Sequence, residues 1–118
     1  MRILFFGLPL AAVLLEADGH RIVHAALCRS GAPGERRLRR SLGGAVELRP
    51  DLTAPAVVER LRRIECDLLV SWFWTTRIPR ALLEAPRLGT LGVHPSLLPR
   101  HRGPDPYFWA LDAGDAVT

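Results

Sequence analysis

The opening stretch, Met1–Leu27, leaves this chain few choices of fold. Arg2–Phe6 (RILFF) is a short apolar run stopped by Gly7 and Pro9, the mark of a buried strand. Leu10–Ala17 (LAAVLLEA) is helix-forming, with Gly19 placed as its C-terminal cap. Arg21–Leu27 (RIVHAAL) is β-branched and apolar, a second strand. Two strands joined by a helix make a βαβ unit. Such a unit pairs its strands in parallel and crosses over with a right hand.

The alternation continues downstream. Ser30–Gly44, rich in Gly, Arg and Ser and without a clear period, reads as a loop, and Ala45–Leu48 as a short extended piece. Asp51 or Thr53 can cap a helix running to Ile64, with Pro55 in its first turn. Val57, Val58 and Leu61 form its apolar stripe, and Glu59, Arg60, Arg62 and Arg63 its wet face. Asp67–Ser71 is a third strand, Pro79–Glu84 a short helix, Leu88–Val93 a glycine-broken fourth strand and Pro106–Ala113 a last helix. This order predicts an α/β chain with three layers, Rossmann-like, around a mostly parallel sheet. Folds of that kind take their ligands beyond the carboxyl ends of the strands.

Composition narrows the function classes. With 118 residues, 48% of them hydrophobic and 24% charged, the chain is one domain with a real core. No apolar run approaches the roughly 18 residues that a membrane span needs. The apolar start is broken by Gly7 and Pro9, and Glu16, Asp18 and His20 follow where a signal peptide would have small residues. A cytoplasmic protein is expected, with Cys28 and Cys66 as free thiols and no metal site. All 16 basic residues are Arg, and Lys, Asn and Gln are absent. Without Lys there is no Walker A loop, and without Asn or Gln no carboxamide can donate to an oxyanion. Gly7-Leu8-Pro9 lacks the glycine spacing of a dinucleotide loop, and Pro9 removes an amide that phosphate binding would use. The net charge of +4 gathers at Arg36, Arg37, Arg39 and Arg40, which read either as a solvated face or as a phosphate-contacting patch.

The chemistry concentrates in Leu88–Asp115, LGTLGVHPSLLPRHRGPDPYFWALDAGD. His94 stands where the fourth strand ends, and Pro95 keeps it extended on a stiff backbone. A lone histidine at a strand end is as readily structural, but this one opens a turn, Ser96-Leu97-Leu98-Pro99, that offers fixed backbone groups and apolar walls to a flat heterocycle.

HPSLLPRHRG, followed by P-x-x-W-A and G-D-x-x-T, resembles the signature of the folate-dependent formyltransferase family. The start, MRILFFGLP, is also similar to that of the family's methionyl-tRNA branch. The resemblance implies a formyltransferase fold over residues 1–118 and formyl transfer from 10-formyltetrahydrofolate to a primary amine. It implies His94 as the catalytic residue and a reduced folate beside Ser96, Leu97, Leu98 and Pro99. The acceptor it favours is methionyl-tRNA, touched through Arg36, Arg37, Arg39 and Arg40, with a sugar nucleotide or other amine as the alternative. The family also uses an Asn two residues before the His, here Gly92, and an Asp further downstream, for which Asp105, Asp112 and Asp115 do not match. The expectation is therefore a domain truncated before its last strand or strands, incomplete at the C-terminus and inactive as it stands. A catalytically dead folate- or RNA-binding module, or a non-functional remnant, would share the same residues.

Overall fold

In the computed structural model, which describes residues 1–118, the expected strands all enter one sheet. β1 (Arg2–Gly7), β2 (Arg21–Leu27), β3 (Val46–Leu48), β4 (Leu68–Trp72) and β5 (Thr90–Val93) lie in the order β3-β2-β1-β4-β5. Every pairing is parallel. Four helices connect them, α1 (Pro9–Ala17), α2 (Glu35–Leu42), α3 (Pro55–Arg62) and α4 (Arg80–Leu83), and α5 (Pro106–Asp112) follows the last strand.

β1 is central and apolar on both faces because helices cover both. Ile3 and Phe5 meet Ile22, Ala25, Leu27 and Val70 in the layer that holds Val13 of α1 and Leu38 of α2. Leu4 and Phe6 meet Ala26 and Leu69 in the opposite layer, with Leu61 of α3 and Leu82 of α4. A register shift after Ile3 pairs Leu4 with His24 and leaves Val23 over. That extra residue puts Ile22 and Ala25 on one face, which strict alternation would forbid.

The segment Ser30–Gly44 is a correction to the loop expected from its sequence, because it carries α2. One apolar side chain suffices to dock the helix: Leu38 is fully buried. The Glu35 carboxylate accepts the Gly31 amide at 2.6 Å and Arg39 Nε at 2.8 Å, and Ser41 Oγ donates to Glu16 of α1 at 2.8 Å. Gly34, at φ +90°, lets the chain pass α1 so closely that a Cβ there would lie 3.1 Å from Leu10 Cα. Ala45–Leu48, expected as an extended piece, contributes β3 and pairs with β2.

β5 is an edge strand. Thr90, Leu91 and Gly92 are exposed, and α5 buries Pro106 and Ala110 while leaving Tyr107, Phe108 and Trp109 in solvent. No helix is long and apolar enough to cross a membrane.

Candidate active site at the carboxyl edge of the sheet

The chain runs outward from β1 to β2 and β3, then returns across β1 to β4 and β5. The carboxyl ends of β1 and β4 therefore diverge in connection, and the crevice at such a switch point is where open α/β sheets bind ligands. Gly7 closes β1 there at φ +140°, and a Cβ on it would fall 1.8 Å from the Trp72 carbonyl oxygen. Its bare backbone lets the two strand ends meet, and Leu8 N donates to Trp72 O at 3.2 Å.

His94 leaves β5 at this edge, half-buried. Its Nε2 lies 2.9 Å from the His101 carbonyl oxygen. A carbonyl only accepts, so the proton sits on Nε2 and, in the neutral ring, Nδ1 keeps a lone pair. The residues expected to hold the folate follow directly. Ser96 N donates to His94 O at 2.9 Å, Leu98 N to Ser96 O at 3.0 Å and Arg100 N to Leu97 O at 3.1 Å. Ser96 Oγ donates inward to Arg100 O at 2.9 Å, so this hydroxyl shapes the turn. Leu97 and Leu98 are 55% and 59% exposed, an apolar surface beside the imidazole's own loop. The Leu98–Pro99 peptide is cis.

The loop ends at a carboxylate. Asp115 accepts from Arg100 and from His101 Nε2, the latter at 2.6 Å. The His101 hydrogen bond first, and then the Arg100 guanidinium, hold its carboxyl below the usual aspartate range.

A second feature opens between the ends of β2, β3 and β4. Phe73 N donates to Val93 O at 3.4 Å, and from there the chain turns through Trp74 to Arg77. Trp74 stacks edge-on against Phe6, with ring centroids 5.1 Å apart, and its buried Nε1 has no partner. A cavity of about 290 Å³ lies beside it, lined by Cys28, Arg49, Thr53, Trp74, Thr75 and Arg77 among others. Arg49, at φ +48°, spends its Nε on the Cys28 carbonyl at 2.9 Å. Cys28 forms part of the cavity wall, and burial pushes its thiol pKa upward. Arg49 and Arg77 were not singled out in the sequence, where only their position after strand ends marks them. No three His, Cys, Asp or Glu side chains gather as metal ligands.

The four arginines expected to meet tRNA project from α2, all exposed. Because Gly34 rests against Pro9 and Leu10 at the start of α1, α2 begins at the same edge of the sheet as the site. Arg39 is tied to Glu35, whereas Arg36, Arg37 and Arg40 have no ion-pair partner. Gly92 lies on β5 opposite Ser71, and a Cβ there would meet nothing within 4 Å.

Residues 14–118 match the formyl transferase family. The chain belongs to that family. Methionyl-tRNA formyltransferases of Chloroflexus aggregans and Phenylobacterium zucineum are 39% and 37% identical over alignments that cover 100% of the chain. The chain spans 42% of the length of each. Among solved formyltransferases, glycinamide ribonucleotide transformylase 1 of Symbiobacterium toebii superposes with a TM-score of 0.69 at 26% identity, over 97% of this chain and 60% of that one. Phosphoribosylglycinamide formyltransferase of Bacillus halodurans reaches 0.72 at 21% identity, over 96% of this chain and 66% of that one, a likeness of fold.

Proposed function

We propose that this formyltransferase domain moves a formyl group from 10-formyltetrahydrofolate to a primary amine, and that the amine is that of methionyl-tRNA. The observation that carries the reading is His94. It is a histidine at the carboxyl end of a strand beside the switch point, with its Nε2 proton committed to a backbone carbonyl. Nδ1 is then the nitrogen left for chemistry. In the reaction the amine nitrogen bonds to the formyl carbon, the carbonyl oxygen becomes an oxyanion, and the bond to the folate nitrogen breaks. Neutral Nδ1 accepts the proton that the attacking amine must shed. Once protonated, it donates a hydrogen bond to the oxyanion and then passes the proton to the departing folate nitrogen, which leaves as a neutral amine. The exposed Leu97 and Leu98 suit the flat ring of a reduced folate, and Arg49 and Arg77 at the neighbouring cavity suit its carboxylates. The domain works in the cytoplasm and uses no metal.

Two observations favour tRNA over a sugar nucleotide as the acceptor: the names of the relatives and the unpaired Arg36, Arg37 and Arg40 on α2. Gly92 limits the rate, because it presents no side-chain donor where the family resemblance implies an Asn. One missing oxyanion donor costs about 10²–10³ in rate. Gly92 is thus expected to leave folate binding intact while slowing formyl transfer to methionyl-tRNA by about 10²–10³-fold.

The test grafts residues 1–118 onto the remainder of the Chloroflexus aggregans relative. With Gly92→Asn the chimera is expected to formylate methionyl-tRNA at least about 10²-fold faster than with Gly92. Adding His94→Ala should remove about 10²–10⁴-fold of that rate. A Gly92→Asn chimera no faster than its parent would contradict the reading.

A further inference from the structure

We propose that Asp115 is a positioning residue for His94, acting through the backbone of Arg100 and His101. One carboxylate grips two consecutive side chains, the Arg100 guanidinium and the His101 ring, the latter at 2.6 Å. The backbone carbonyls of the same two residues are the ones that hold the catalytic turn: Arg100 O accepts Ser96 Oγ and His101 O accepts His94 Nε2, each at 2.9 Å. His101 also sits at φ +50°, a conformation that a residue with a side chain keeps only when its surroundings impose it. Asp115 supplies that restraint in a place shielded from water, where the side chains of Asp115 and His101 are 12% and 14% exposed.

The carboxylate is itself placed by the end of α5. Asp115 N donates to Ala110 O at 2.9 Å, and Gly114, at φ +68°, turns the chain out of the helix. The end of α5 thereby decides which nitrogen of His94 carries the proton. Without the grip on residues 100 and 101, the His101 carbonyl is free to leave Nε2. The ring would then share its proton between both nitrogens, and Nδ1 would no longer be a dedicated acceptor.

This inference rests on the reading of His94 as the reacting imidazole. Its test uses no formyl donor and no acceptor, so the two fail separately. Nitrogen-15 NMR of the imidazoles, on the 118-residue protein in alkaline buffer, reports the ratio of Nε2–H to Nδ1–H tautomers of His94. The wild type is expected to hold Nε2–H. Asp115→Ala should lower the ratio by roughly fivefold, the weight of one ordinary hydrogen bond, while the amides of β1, β2 and β4 keep their shifts. Asp115→Asn retains an acceptor oxygen for His101 and should fall between the two. If Asp115→Ala does not fold, His101→Phe carries the same expectation, since it removes the ring held by Asp115 and keeps the backbone carbonyl. An unchanged ratio in whichever of these two variants folds overturns the proposal.

Discussion

Gly7 of β1 and Gly92 of β5 lie on the two strands that flank β4, yet they face opposite constraints. At Gly7 a methyl group would collide with the Trp72 carbonyl, and φ +140° is a conformation that L residues avoid. Gly7→Ala should therefore destabilise the domain by about 2–5 kcal/mol, overpacking and backbone strain together. Urea unfolding should show this as a lower midpoint with little change in slope. Gly92→Ala, with open space around its Cβ, is expected to stay within about 0.5 kcal/mol of wild type. The sequence told these residues apart poorly: Gly7 read as a strand stop, and its close approach to β4 depends on a partner 65 residues away. His94 was legible because its cause is local, a strand end and a following proline. Asp115, Arg49 and Arg77 were not. Each gains its role from a chain segment that only folding brings near.

At the scale of elements, α2 shows why a helix can hide. Helices are recognised in sequence by an apolar stripe, and α2 has only Leu38 fully buried between flanking glycines. Its stability comes from the Glu35 bonds and the seat of Leu38, both tertiary or capping effects. The helix also changes what its arginines can do. Arg39 is occupied by Glu35, so three cations remain for phosphates. The dependence of tRNA affinity on salt should then have a log–log slope of about −3. Replacing Arg36, Arg37, Arg39 and Arg40 with Ser should flatten it, and equal slopes in the two proteins would remove the RNA contact.

On the other side of the sheet, His24 Nε2 of β2 donates to Glu47 of β3 at 3.1 Å, and Arg60 of α3 binds Glu47 at 2.7 Å. Burial dominates and lowers the His24 pKa, with Glu47 opposing. The unfolded chain takes up this proton near pH 6.5, about the ordinary value, before the folded one does. Stability is therefore full above about pH 6.5 and falls as the pH drops below it. Urea midpoints measured at about pH 8 and about pH 5.5 should differ less in His24→Gln than in wild type.

For the whole molecule, the sheet order β3-β2-β1-β4-β5 was within reach of the sequence as a class and not as a list of pairings. The βαβ start and the alternation after it demanded a parallel sheet with covered faces. The place of β3, a strand of three residues, did not follow from so short a run. What the order creates is a single edge where β1, β4 and β5 end, from which both the His94–Pro99 turn and the Trp74–Arg77 segment leave the sheet. In the proposed function a reduced folate occupies this edge. Amide-detected NMR titration of the 118-residue protein with a reduced folate tests it most directly. Saturable shifts are expected at residues 71–77 and 93–103, with a dissociation constant of about 10⁻⁴ M or weaker. Saturable shifts confined to other residues, with none in these two segments, would contradict it.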